Sequence, residues 1–91
     1  MNFKEFFSRQ IHSGIQYLEF FPNGYGVSIV NHEFSYKSDS GDWELAVVIG
    51  NKDKYELTYN TPITNNVLGS LSENQVNDIC IKVSELPKVQ R

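Results

Sequence analysis

The sequence holds a single cysteine, Cys80, among 91 residues. One thiol cannot close an intramolecular disulfide, and a cysteine-based zinc knuckle needs several. No apolar run approaches the ~18 residues of a membrane span, which argues against a membrane partner. The opening Met1-Asn2-Phe3-Lys4-Glu5 lacks the basic and then apolar regions of a secretory signal. The expectation is therefore an intracellular chain held together by its core alone. Charge of one sign is also scarce: 8 Lys+Arg stand against 11 Asp+Glu, a net charge of −3. Linkers, repeats and low-complexity stretches are missing, so residues 1–91 read as one domain. Apolar residues at 40% and charged residues at 21% fit a soluble globular domain. A disordered tail would be poorer in aromatics, which are 13% here.

The patterns present predict an α+β fold. The reading is a four-stranded, mainly antiparallel sheet built from two hairpins, with a C-terminal helix and a short N-terminal helix. Residues 2–11 read as that short helix: Asn2 is a fit N-cap, Gly14 a terminator, and Phe3, Phe6, Phe7 and Ile11 recur at helical spacing. So short a helix must dock, either on its own sheet or as a homodimer contact through the Phe3, Phe6, Phe7 face. Residues 15–21 and 25–31 read as a hairpin around Pro22-Asn23-Gly24. Two registers compete. A three-residue loop suits the turn chemistry and opposes Glu19 to Val27, which puts Glu19 on the more apolar face. A two-residue loop keeps Glu19 outside but needs an N–H that Pro22 lacks. The three-residue loop is preferred.

Residues 43–49 and 55–59 alternate with period two, one face dry and one mostly wet, across the loop Gly50–Lys54. Glu44 and Glu56 then fall on the outer face. Residues 60–71 read as an irregular connection, since Pro62 cannot join a ladder. Residues 73–86 carry the fullest helix signals. Ser72 and Gln75 form a capping box, Leu71 and Val76 a staple, and Pro87 the stop. Val76, Ile79, Cys80, Val83 and Leu86 make the apolar stripe.

Catalytic and metal chemistry finds little footing. His32 and Glu33 are adjacent and point apart in a strand. His-x-x-x-His and Cys-x-x-Cys spacings are missing, so no metal and no cofactor is expected. Gly24-Tyr25-Gly26 leads into a strand, whereas phosphate cradles open a helix. Cys80 on an apolar stripe reads as a core residue. A hydrolase using Glu19 and a histidine is a third-rank reading, and no catalytic residue is assigned. The scattered cations and acidic balance argue against direct nucleic-acid binding, whose affinity rests on phosphate neutralisation. Aromatic side chains are common interface anchors. Tyr25, Tyr36, Trp43 and Asn60 are the surface candidates, although Trp43 shares the parity of Leu45 and Val47 and so suits the core.

The string Phe20-Phe21-Pro22-Asn23-Gly24-Tyr25-Gly26-Val27-Ser28 combines with Ser35-Tyr36, Trp43-Glu44-Leu45-Ala46-Val47, Tyr55-Glu56-Leu57 and Tyr59-Asn60-Thr61-Pro62-Ile63-Thr64. Over about residues 18–80 this resembles a family of small uncharacterised tailed-bacteriophage proteins. Where that family is often acidic, this chain has Asn60, Asn65 and Asn66. The resemblance implies a phage accessory protein in the cytoplasm of a host bacterium, acting non-catalytically by binding a host protein. An inhibitor of a bacterial defence system, in the manner of an anti-CRISPR factor, is one such role. The alternative is a binder or sponge for a nucleotide or signalling molecule, with a pocket near Tyr25, Trp43 and the Asn60–Asn66 loop.

Overall fold

A computed structural model describes residues 1–11, 14–32, 43–58, 61–63 and 67–89. The fold is α+β and antiparallel, with the helix at the C-terminal side, but the sheet is larger than four strands. The described strands are β1 (Phe7–Ile11), β2 (Gly14–Phe20), β3 (Tyr25–His32), β4 (Trp43–Asn51), β5 (Lys54–Leu57) and β6 (Leu68–Leu71). They run in spatial order β1 to β5, and β6 shares the outer edge of β4 with β5. The helix α1 spans Glu73–Ser84.

Both extra strands correct the expectation. The N-terminal helix over 2–11 does not form. Asn2 does act as a cap, its Oδ1 accepting from the Lys4 N–H at 3.0 Å, but it caps a single 3-10 turn, Phe3–Glu5. Phe6 is already extended and Phe7 opens β1. Ten residues are too few for a helix to hold itself in water. Pairing with β2 instead gives five aligned positions, from Phe7 opposite Leu18 to Ile11 opposite Gly14. Gly14 therefore opens a strand rather than ending a helix. Likewise β6 lies inside the connection expected to be irregular, added to β4 with a register shift between Trp43 and Leu45.

The three-residue hairpin register holds. The Phe21 N–H donates to the Tyr25 carbonyl at 2.7 Å, and Glu19 opposes Val27. Gly24 takes a φ of +89°, the left-handed position its turn needs. Phe20 covers Gly26: a Cβ built there would lie 2.5 Å from Phe20 Cδ1. The β4–β5 turn is tighter than expected. The strands reach Asn51 and resume at Lys54, and Asn51 Oδ1 accepts from the Asp53 and Lys54 N–H groups at 3.0 Å each.

One sheet face carries Tyr17, Glu19, Val27, Ile29, Leu45 and Val47, and α1 with the 3-10 turn covers it. The core joins Phe3, Val27, Ile29, Trp43, Leu45 and Val47 to Val76, Cys80 and Val83 of the helix. Phe3 stands edge-on to Trp43 at 4.8 Å and to Tyr17 at 5.4 Å. The capping box is complete: Ser72 Oγ accepts from the Gln75 N–H at 3.2 Å, and Gln75 Oε1 from the Ser72 N–H at 2.8 Å. A further tie runs from the Phe3 N–H to Asn77 Oδ1 at 2.9 Å.

The other face is not wet, which corrects the period-two reading. Leu18 and Val48 there are 2% and 0% exposed. The sheet curls until β1 and β5, at opposite ends of the strand order, meet across this face. Arg9 Nη2 donates to Tyr55 Oη at 3.2 Å, and Lys52 Nζ sits 5.1 Å over the Phe7 ring. Antiparallel partners point to the same side. Val48 opposes Leu57 and Gly50 opposes Tyr55, so Tyr55 and Leu57 belong to this curled face. Glu56, opposite Ile49, joins the helix-side face, while Glu44, opposite Val30, does not. The two glutamates thus do not share an outer face.

Candidate binding surfaces

The tip Pro22-Asn23-Gly24 turns Asn23 toward the end of α1 and leaves Pro22 exposed. Asn23 Nδ2 donates to the carbonyls of Val83 at 2.9 Å and Leu86 at 3.0 Å, with Ser84 at 3.4 Å. Asn23 Oδ1 accepts from the Tyr25 N–H at 3.0 Å. The Asn23 carbonyl accepts from the Val89 N–H at 2.8 Å. The last carbonyls of a helix have no partner within it. One asparagine from a distant hairpin adds a donor to those of the Glu85 and Leu86 N–H groups at this end and pins the segment after the helix. Beside this junction lies a groove of about 440 Å³, walled by Tyr25, Ile49, Thr58, Pro62, Leu86 and Lys88. It offers a phenol, a hydroxyl and one cation over an apolar floor.

The curled face holds a polar network on an apolar bed. Gln16 and Ser28 are its buried members, at 7% and 8% exposed. Gln16 Oε1 accepts from Arg9 Nε at 2.7 Å. Gln16 Nε2 donates to Ser28 Oγ at 2.8 Å and to Tyr55 Oη at 3.2 Å. The buried amide thus fixes the arginine and the tyrosine with its two ends. Tyr55 is also held by the Phe20 ring, 5.9 Å away. Arg9 uses Nε and Nη2 in these bonds, and among the described residues none is made by Nη1. Phe7 and Leu57, at 50% and 44% exposed, form the rim.

The four sequence candidates are not brought together. Tyr25 and Pro62 line the groove, and Trp43 does not. Trp43 is only 8% exposed and packs with Phe3 and Tyr17, which gives it a core role. Tyr36 and Asn60, with Asn65 and Asn66, lie outside the described residues. The Phe3, Phe6, Phe7 face does not exist as one surface: Phe3 is wholly buried, and Phe7 projects onto the curled face. Arg9, Gln16 and Tyr55 were not singled out from sequence. Their signal was polar Gln16 and Ser28 within strands that are otherwise apolar on that face.

Glu19 lies half-buried on the helix side, its Oε1 accepting from the Phe20 N–H at 3.1 Å. Burial pushes the Cys80 thiol up to about 12; the Glu19 charge adds to the rise and the N-terminal ammonium opposes it. A thiol so protonated is no nucleophile. His12 and Glu33 lie outside the described residues. Among the described residues no three His, Cys, Asp or Glu side chains gather as a metal site, and no helix is long and apolar enough to cross a membrane. The chain matches no family model, no curated protein and no solved structure.

Proposed function

We propose that this protein is a non-catalytic phage accessory factor that works in the host bacterial cytoplasm by binding a host protein. Inhibition of a defence system is the role the family resemblance favours. The observation that carries protein binding is the rim of the curled face. Two large apolar side chains, Phe7 and Leu57, stand half exposed around a rigid polar centre at Arg9, Gln16 and Tyr55. Exposed aromatics beside an arginine are the usual composition of an interface centre. The tagged protein, passed over host lysate, is expected to retain one dominant protein that co-elutes with it as a stoichiometric complex. Empty capture across several hosts overturns the reading.

A second reading takes the groove at Tyr25 as a small-ligand site, supported by its volume of about 440 Å³ and by Lys88 in its wall. A ligand present at a hundredfold excess over its Kd stabilises the fold by about 2.7 kcal/mol. A melting-temperature panel of nucleotides is expected to show one clear rise, and a flat panel ends this reading.

A further inference from the structure

The pattern of ladder hydrogen bonds fixes which backbone groups of β1 point outward. The bond from the Phe21 N–H to the Tyr25 carbonyl sets the odd-numbered residues of β2 toward β3. Hydrogen bonding alternates along an antiparallel strand. The even-numbered residues of β2 therefore bond to β1, pairing Leu18 with Phe7, Gln16 with Arg9 and Gly14 with Ile11. Ser8 and Gln10 are left with N–H and C=O groups directed away from the sheet. Among the described residues nothing bonds to that edge, and Phe7 to Gln10 are all exposed. An unpaired edge of this kind is a template for another strand.

We propose that the β1 edge receives an extended, acidic segment of the partner protein as a further antiparallel strand. This rests on the protein-binding reading above and names the chemistry of the partner. A second copy of this chain is a poor occupant. The two-fold pairing that joins Ser8 of each copy to Gln10 of the other, and so uses the outward groups of both residues, sets Arg9 directly against Arg9, and like charges in that position repel. A carboxylate in the same position is attracted instead. Arg9 is held by Gln16 through Nε and by Tyr55 through Nη2, so its Nη1 group is aimed without further ordering. Lys52, over the Phe7 ring, adds a second cation nearby. The partner residue opposite Arg9 is therefore acidic. Two positions further along the partner strand, a side chain falls opposite Phe7 and is apolar. Main-chain bonds supply the affinity in this mode and alternate side chains the selectivity.

The probe is a fluorescent, end-blocked peptide, Thr-Val-Thr-Glu-Thr-Val-Thr, with a control that has Lys for Glu. The Glu peptide is expected to bind about tenfold or more tightly than the Lys peptide, with amide shifts centred on Ser8 and Gln10. Arg9→Met is expected to abolish the difference. Gln10→Pro removes only an outward N–H, which an edge strand tolerates, and is expected to weaken the Glu peptide while the amide spectrum keeps the fold. Equal binding of the two peptides, or no binding of the Glu peptide at about 1 mM, overturns the proposal. A host partner captured equally well by wild type, Arg9→Met and Gln10→Pro overturns it too, and leaves the protein-binding reading standing.

Discussion

At the scale of single residues, Cys80 shows what the sequence hides. Its place on the apolar stripe of the helix was legible from spacing, as was the arrival of Glu19 on the apolar face once the three-residue turn was chosen. Their proximity was not, because 61 positions separate them and only the packing of α1 on the β3 and β4 side of the sheet brings them near. It has a consequence for pH. The folded thiol holds its proton up to about 12, against an ordinary value of 9.0. Above pH 9 the unfolded chain loses this proton and the folded chain keeps it, so stability falls as pH rises. Below pH 9 the two states are alike and the full contribution is present. Cys80→Ala lacks this dependence but leaves a cavity. Wild type is expected to lead the variant in urea midpoint at pH 7, and the lead is expected to shrink steadily from pH 9 to pH 10.5. A gap that stays constant over that range counts against a buried, protonated thiol.

At the scale of elements, the signals that were read correctly were local and redundant. The capping box at Ser72 and Gln75 and the turn at Pro22-Asn23-Gly24 each rest on several agreeing residues. The signal that failed was a short periodicity. Phe3, Phe6 and Phe7 fit a helix, yet the segment holds one capped turn and then a strand, because β2 has an edge to pair and ten residues cannot sustain a helix. Nor does turn chemistry say what a turn touches. Asn23 suits its turn and also caps α1, sixty residues away, through the carbonyls of Val83 and Leu86. Asn23→Ala deletes these bonds and the one to the Tyr25 N–H. A loss of about 1–3 kcal/mol is expected, seen as a lower urea midpoint with an unchanged slope. Asn23→Asp keeps the acceptor for Tyr25 but loses the amide donors and sets a negative charge at a helix C-terminus. It is expected to do no better than alanine. An aspartate variant as stable as wild type would mean that the amide does not hold the helix end.

At the scale of the whole molecule, the fold class was legible and the shape was not. Alternating residues in β4 implied one dry face, yet Val47 and Val48 are both buried. The cause is the curl, which depends on side chains of the first and last strands of the main path meeting, and no local pattern encodes that meeting. It also explains why the polar network was missed. Gln16 and Ser28 look like ordinary outward residues until Arg9 and Tyr55 close over them. If that closure is a true coupling between distant strands, Arg9 and Tyr55 must act together energetically. Arg9→Met removes the guanidinium, and Tyr55→Phe removes the hydroxyl while keeping the ring against Phe20. Gln16 retains Ser28 as a partner in both variants. Each single change is expected to cost about 0.5–1.5 kcal/mol. The double variant is expected to fall short of their sum by at least about 0.5 kcal/mol, the range for residues within one network. Strict additivity in this cycle, measured by urea unfolding, would mean that β1 and β5 touch without holding the sheet curled, and the Arg9 side chain would then lack the fixed aim that recognition of an acidic strand requires.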